Sequence, residues 1–195
     1  MDGGTIREFV EDIGQEAERL GRTTEKLLSL TRLDVAPETE LVPVDLGHVV
    51  GKVGYMLHPL AAERHIEMVL DLEKDCRILA TEDDMHQVIF NLAENGIKYN
   101  VENGKLFIRL DHAGDQVRLV VEDTGIGIPE EDMPYIFDRF YRVDKARSRG
   151  EGSSGLGLSI VRDTVRQHGG QVEVSLREGG GACFVVLFPT IERDM

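Results

Sequence analysis

Four clusters decide the reading of this sequence: Asn91-Leu92-Ala93-Glu94-Asn95 with Lys98-Tyr99, then Asp123-Thr124-Gly125-Ile126-Gly127-Ile128-Pro129, then Phe137-Asp138-Arg139-Phe140-Tyr141-Arg142, and last Gly155-Leu156-Gly157-Leu158. Taken singly, each is an ordinary pattern. Two asparagines on a helix usually face solvent, and Asp-x-Gly-x-Gly is also a common way to turn out of a strand. Their order along the chain gives them meaning. They supply side-chain amide oxygens, an acceptor for a donor edge, a basic flap, and glycine-backed amides for an anion.

The first cluster lies on a predicted helix running from Glu82 to about Tyr99. Asn91, Asn95 and Lys98 fall at i, i+4 and i+7, on one face, while Val88, Ile89, Leu92 and Ile97 form the apolar side. An amide oxygen can ligate Mg²⁺ without adding repulsion toward a phosphate chain, and Mg²⁺ usually takes only one or two protein ligands beside phosphate and water. Lys98 adds a point charge. Asp123 ends a predicted strand, where a carboxylate can accept from the exocyclic amine of adenine while Gly125 and Gly127 let backbone approach the base. Residues 142–154 offer little to pack and carry several cations, as a lid over phosphates would. Gly155 and Gly157 then open a helix whose first amides and dipole suit an anion. The Walker pattern GxxxxGK[ST] is absent, so the expected ligand is ATP with Mg²⁺, held without a Walker loop.

Outward from the clusters, the pattern is α+β. Short strands are predicted at 41–44, 66–72 and 77–80, with Asp45 as N-cap of a helix reaching about Arg64. Paired strands follow at 106–111 and 116–122, then a short helix near Met133 to Phe140 and a longer one from about Gly155 to His168. A hairpin of 171–177 and 182–189 closes the chain around Gly179-Gly180-Gly181. Helices and strands are segregated, which predicts a two-layer sandwich with helices on one face of a mixed sheet. Before it, Ile6, Ile13, Leu20 and Leu27 repeat every seven residues between Thr5 and Asp34, interleaved with Val10, Ala17, Thr24 and Thr31. This predicts one long helix that needs a partner helix, so a homodimer through residues 5–34 is expected.

With 36 acidic against 22 basic residues, the formal charge is −14, which argues against a nucleic-acid surface. An anionic ligand then needs a local exception, and the cations between Arg139 and Arg149 provide it. No apolar run reaches the roughly 18 residues of a membrane span, and the first residues lack a signal pattern. Cys76 and Cys183 have no CxxC or Cys/His context and are expected to be buried free thiols.

Together these residues resemble the catalytic, ATP-binding domain of sensor histidine kinases of two-component systems. Asn91 to Asn100 resembles the N box, Asp123 to Ile128 the G1 box, Phe137 to Arg142 the F box and Ser154 to Leu158 the G2 box. The resemblance covers about residues 40 to 190 and implies the Bergerat-type ATP-binding fold. It implies Asn95 as Mg²⁺ ligand with Asn91 beside it, and Lys98 and Tyr99 as phosphate and nucleotide contacts. It further implies Asp123 as the adenine-reading acid and Gly125, Gly127 and Ile128 as the base cradle. Tyr141 and Arg142 flank the lid, with Arg142 approaching the γ-phosphate, and Gly155, Leu156, Gly157 and Leu158 form the phosphate side. Asn95, Lys98 and Arg142 would then carry the transfer.

Residues 1–36 resemble the second helix of the dimerisation and phosphotransfer hairpin, and 37–195 the catalytic domain. The family's acceptor histidine stands in a His-Glu-x-x-x-Pro context, and none of His48, His58, His65, His86, His112 or His168 fits it. All six read as structural or exposed. The resemblance implies a phosphoacceptor helix of the intact kinase and a response-regulator receiver domain as partners. It also implies a cytoplasmic location, with the parent protein anchored in the membrane through upstream segments. Two rival readings are a scaffold of the same fold without turnover and a serine-directed kinase of the anti-sigma type.

Overall fold

A computed structural model describes residues 40–143 and 155–191. The predicted long N-terminal helix, its dimer contact and most of the basic stretch after Arg142 lie outside the described residues.

Asp45 ends β1 (Val42–Asp45), and its carboxylate accepts from the Gly47 amide to start α1 (Leu46–Glu63). After β2 (Glu67–Leu72) and β3 (Arg77–Ala80), Thr81 caps α2 (Glu82–Lys98) by accepting from the Asp84 amide, and Glu82, Asp83 and Asp84 sit on its first turn. At the other end, the Arg64 guanidinium donates to the Lys98 carbonyl at 3.0 Å, covering one of the helix's last acceptors. β4 (Lys105–Ala113) and β5 (Gln116–Asp123) form the predicted hairpin; α3 (Gly157–Gln167), β6 (Gln171–Leu176) and β7 (Ala182–Pro189) complete the order.

The main sheet runs β2-β4-β5-β7-β6. β2 is parallel to β4 and the other neighbours are antiparallel; β1 and β3 form a separate antiparallel pair. Alternation decides which face is covered. Leu106, Ile108 and Leu110 of β4 and Phe184, Val186 and Phe188 of β7 point into the core, while Lys105, Phe107 and Arg109 point away. The three helices among the described residues meet that face through Leu46, Val50 and Val53 of α1, Met85, Ile89 and Leu92 of α2, and Val161 and Val165 of α3. Each such side chain contributes about 1.5–3 kcal/mol through removal from water. This is the predicted two-layer arrangement.

The short helix predicted near Met133 to Phe140 is instead a run of turns. Its hydrogen bonds are isolated: Ile136 and Tyr135 donate to the Asp132 carbonyl, and Asp138 to that of Tyr135. Phe140, at φ +67°, ends the run. Of the two cysteines, Cys76 is buried as expected, but Cys183 is only half-buried because odd positions of β7 face the uncovered side of the sheet.

His168 is structural, as expected. Its side chain is buried and Nε2 lies 2.9 Å from the Asp84 carboxylate, tying the end of α3 to the start of α2. The His168 hydrogen bond, supported by that of Thr81, holds Asp84 below the usual aspartate range. Stability from a depressed carboxylate is present above its unfolded pKa and is lost as pH falls through the folded one. Asp84→Asn is therefore expected to cost on the order of 1 kcal/mol at neutral pH, since Asp84 is partly exposed. Urea melts should show that difference closing below the ordinary aspartate range.

Candidate nucleotide site

Between the C-terminal half of α2, the end of β5 and the start of α3 lies a cavity of about 380 Å³, walled by residues of all four clusters. Asn95, Lys98 and Tyr99 come from the first cluster, and Asp123, Gly127 and Ile128 from the second. Tyr141 and Arg142 come from the third, and Gly155, Gly157 and Leu158 from the fourth.

Three expected site residues stand behind the wall. Asn91 is 3% exposed; its Nδ2 donates to the Gln87 carbonyl, and Gly157 lies so close that a Cβ there would sit 3.1 Å from Asn91 Oδ1. It spaces α2 from α3, while Asn95, one turn on, reaches the cavity. Leu156 is fully buried beside Ile160. Gly125 is pressed against the end of α2, where a Cβ would meet the Tyr99 carbonyl at 2.1 Å.

Asp123 is the best-defined polar group. It is 6% exposed, and its Oδ1 accepts from the amides of Gly125 at 2.8 Å and Ala182 at 3.3 Å. Both bonds fall on one oxygen, so Oδ2 retains acceptor capacity toward the cavity that Asp123 lines. Burial pushes its pKa up; the two amides and the Arg177 cation oppose that. A buried carboxylate with one oxygen pinned is a fixed acceptor for a donor such as an amine.

Asn95 and Lys98 share the cavity wall with Gly157 and Leu158 of the first turn of α3. Leu156, at the N-cap position, offers no side-chain bond to that turn, so its amides can serve an incoming anion. The third and fourth clusters are tied to each other. The Phe140 amide donates to the Gly155 carbonyl at 2.9 Å, and Arg139–Asp163 (3.2 Å) and Arg162–Asp138 (3.4 Å) pair across to α3. Gly155, at φ +68°, allows the approach, because a Cβ would stand 2.9 Å from the Phe140 carbonyl carbon. The Tyr141 hydroxyl donates to the Asp132 carboxylate, which pushes the phenol up to about 12 and keeps it protonated.

Sequence reasoning missed several residues on which this geometry depends. Gly96 sits under Leu106 of β4, and a Cβ there would be 2.5 Å from Leu106 Cδ1 and 3.6 Å from Asp123 Cβ at the end of β5, so α2 can lie close against both strands. Its signal was a glycine in mid-helix, a choice that costs about 1 kcal/mol against alanine. Gly181 packs on the Asp123 backbone, and its signal was a hairpin turn with more glycine than closure requires. Ile136, Ala182 and Phe184 line the cavity from loop and strand, with nothing local to mark them. Among the described residues, no group of three or more His, Cys, Asp or Glu could hold a metal. A cation here would take its protein ligand from an amide such as Asn95 and the remainder from the bound anion and water, which fits Mg²⁺.

Comparison with known proteins agrees with this geometry. Residues 80–192 match the family of histidine kinase-, DNA gyrase B- and HSP90-like ATPases. The sensor-like histidine kinase SenX3 of Mycobacterium tuberculosis is 34% identical over 192 residues, covering 97% of this chain and 47% of the relative. The chain thus spans about half the length of the curated relatives it matches. The catalytic domain of histidine kinase ThkA superposes with a TM-score of 0.70 at 29% identity, covering 78% of this chain and 97% of that domain. Full-length ShkA, crystallised with AMPPNP, gives 0.81 at 30% identity over 95% of this chain and 39% of its own. ThkA in complex with the response regulator protein TrrA gives 0.76 at 24% identity over 100% of this chain and 54% of ThkA, a likeness of fold alone. The chain belongs to the histidine kinase-, DNA gyrase B- and HSP90-like ATPase family, and its relatives within that family are sensor histidine kinases.

Proposed function

We propose that this chain is the ATP-binding catalytic part of a sensor histidine kinase, which donates the γ-phosphoryl group of Mg-ATP to a histidine for relay to a response-regulator aspartate. The observation that carries the reading is Asp123, a buried carboxylate with Oδ1 held by two amides and Oδ2 able to accept, in a cavity whose wall also carries Asn95, Lys98 and the start of α3.

Adenine lies against Gly127 and Ile128 with its amine on Asp123; Gly125 keeps the turn below it close to α2. Tyr99 and Tyr141 flank the nucleotide. The amides of Gly157 and Leu158 and the charges of Lys98 and Arg142 face the phosphates, and Gly155, Leu156 and Asn91 hold that side of the wall in place. Asn95 offers its side-chain oxygen to Mg²⁺, which, when bound, neutralises charge on the phosphate chain. Phosphoryl transfer asks mainly for positioning and electrostatic stabilisation, and these groups supply both. Lys98 and Arg142 are cations placed where charge develops. The partners are an acceptor helix bearing the His-Glu-x-x-x-Pro motif and a receiver domain, with residues 5–34 pairing two copies. The proposed location is cytoplasmic, in a parent protein anchored to the membrane. No helix among the described residues is long and apolar enough to cross a membrane.

Because no histidine here stands in the acceptor motif, the chain is expected to bind Mg-ATP in titration calorimetry yet gain no acid-labile label from γ-labelled ATP. Label should appear on an added phosphotransfer domain that carries the motif. Label on this chain alone would refute the assignment of donor without acceptor, and no ATP binding at all would favour a scaffold.

A further inference from the structure

We propose that Asn100 is a positioning residue that fixes the register between the carboxylate of Asp123 and helix α2, and thereby sets the preference for adenine over other bases. The proposal rests on the nucleotide reading above and names a residue that carries its selectivity without touching the base's amine.

The observation is a side-chain amide with every bonding position in use. Asn100 Nδ2 donates to the Gly96 carbonyl at 2.8 Å and to the Lys105 carbonyl at 2.9 Å. Its Oδ1 accepts from the Val101 amide and from the Thr124 hydroxyl, both at 3.0 Å. An asparagine amide has two donors and two acceptor positions, so nothing is left over. Only the bonds to Gly96 and Val101 serve the local task of ending a helix. The other two reach the first residue of β4 and the residue following Asp123. Thr124 completes the triangle, since its Oγ accepts from the Lys105 amide at 2.8 Å. Gly104 has left room for this arrangement: a Cβ there would lie 2.1 Å from Asn100 Oδ1 and 2.7 Å from Thr124 Oγ.

One side chain thus joins the helix carrying Asn95 and Lys98 to the strand end carrying Asp123, and it also lines the cavity. Hydrogen bonds weaken steeply with misalignment, and a recognition group must be held to within about 0.5 Å to discriminate. With the link cut, Asp123 and the phosphate-facing helix can shift relative to each other, and a nucleotide anchored by its phosphates no longer presents its base at a fixed distance from the carboxylate. Guanine, which carries a carbonyl where adenine carries the amine, is then excluded less strongly.

The experiment measures Kd for Mg-ATP and Mg-GTP by calorimetry on the full chain and on Asn100→Ala, Asn100→Ser, Thr124→Ala and the Asn100→Ala/Thr124→Ala double variant, with urea melts of each. Asn100→Ala is expected to weaken ATP binding about tenfold, the loss of one or two net hydrogen bonds, and to lower the ATP-over-GTP preference at least about fivefold. Asn100→Ser, whose hydroxyl can still serve part of the network, should recover part of the preference. The double variant should lower the preference by less than the two single effects combined, because the Asn100–Thr124 bond is common to both while the Lys105–Thr124 bond is lost only with Thr124. A residue that merely ends a helix would lower stability, or the two affinities in parallel, and leave their ratio unchanged. That outcome overturns the proposal. If Asn100→Ala does not fold, Thr124→Ala decides: a wild-type ratio in that variant overturns the proposal and a reduced ratio supports it. If the unaltered chain binds neither nucleotide or does not prefer ATP, the reading of the site itself fails, and this inference with it.

Discussion

Asp123→Asn is expected to weaken Mg-ATP binding about a hundredfold, because a hydrogen bond to a charged group is worth about 1.5–3 kcal/mol and the replacement reverses its sense. The reversal follows from the geometry. The amides of Gly125 and Ala182 both donate to Oδ1, so an asparagine must place its oxygen there and turn its NH₂ toward the base, where a donor would meet the donor of adenine. An aspartate elsewhere on the surface could swap its two oxygens freely; this one cannot. Titration calorimetry checks the effect, and an unchanged Kd would remove Asp123 from the site. A pH series adds a second measurement. Burial raises the Asp123 pKa, so nucleotide affinity in the unaltered chain should fall on acidification above the ordinary aspartate range, as the acceptor is lost. The variant should lack that component.

Gly181→Ala is expected to abolish ATP binding and to lower stability by several kcal/mol, the sum of a left-handed backbone strain of about 1–3 kcal/mol and a steric overlap that must be relieved. Gly181 has φ +99°, and a Cβ would fall 1.8 Å from the Asp123 carbonyl oxygen and 3.0 Å from its Oδ1. Relief requires the β6–β7 turn to lift off β5, and with it goes the Ala182 amide that pins the carboxylate. Gly180 provides the control. Its φ is +102°, yet nothing lies within 4 Å of its Cβ position, so Gly180→Ala should show the strain alone and retain ATP affinity. Equal effects in urea melts and calorimetry for both variants would mean that the contact with Asp123 is immaterial.

Much of the fold was legible in local chemistry. Asp45 announces a helix start by its capping oxygen, and the alternation of apolar and polar residues in β4 shows which face is buried. The exception is instructive. Residues 133–140 have the apolar spacing of a helix, but their hydrogen bonds are isolated and Phe140 adopts φ +67°, so burial of Phe137 against Phe184 is achieved by turns. Tertiary contact overrode the pattern.

The candidate site was legible to a different depth. The sequence by itself determined the kinds of chemistry present and their order: amides and a lysine on one helix face, an acid at a strand end, glycines at a helix start. These are properties of single segments, set by residue type and by the 3.6- and 2-residue periods. Only the tertiary structure decided which groups reach the cavity, because that depends on how closely α2 docks on the sheet and against α3. Asn91 and Asn95 are indistinguishable on a helical wheel. Gly96 lets α2 settle onto Leu106 and Gly157 lets α3 close over Asn91, so one amide is buried and the other faces the cavity. Likewise, no local pattern could show Asn100 bonded to Thr124 or Gly181 pressed on Asp123, since each joins segments that meet only once the sheet has formed.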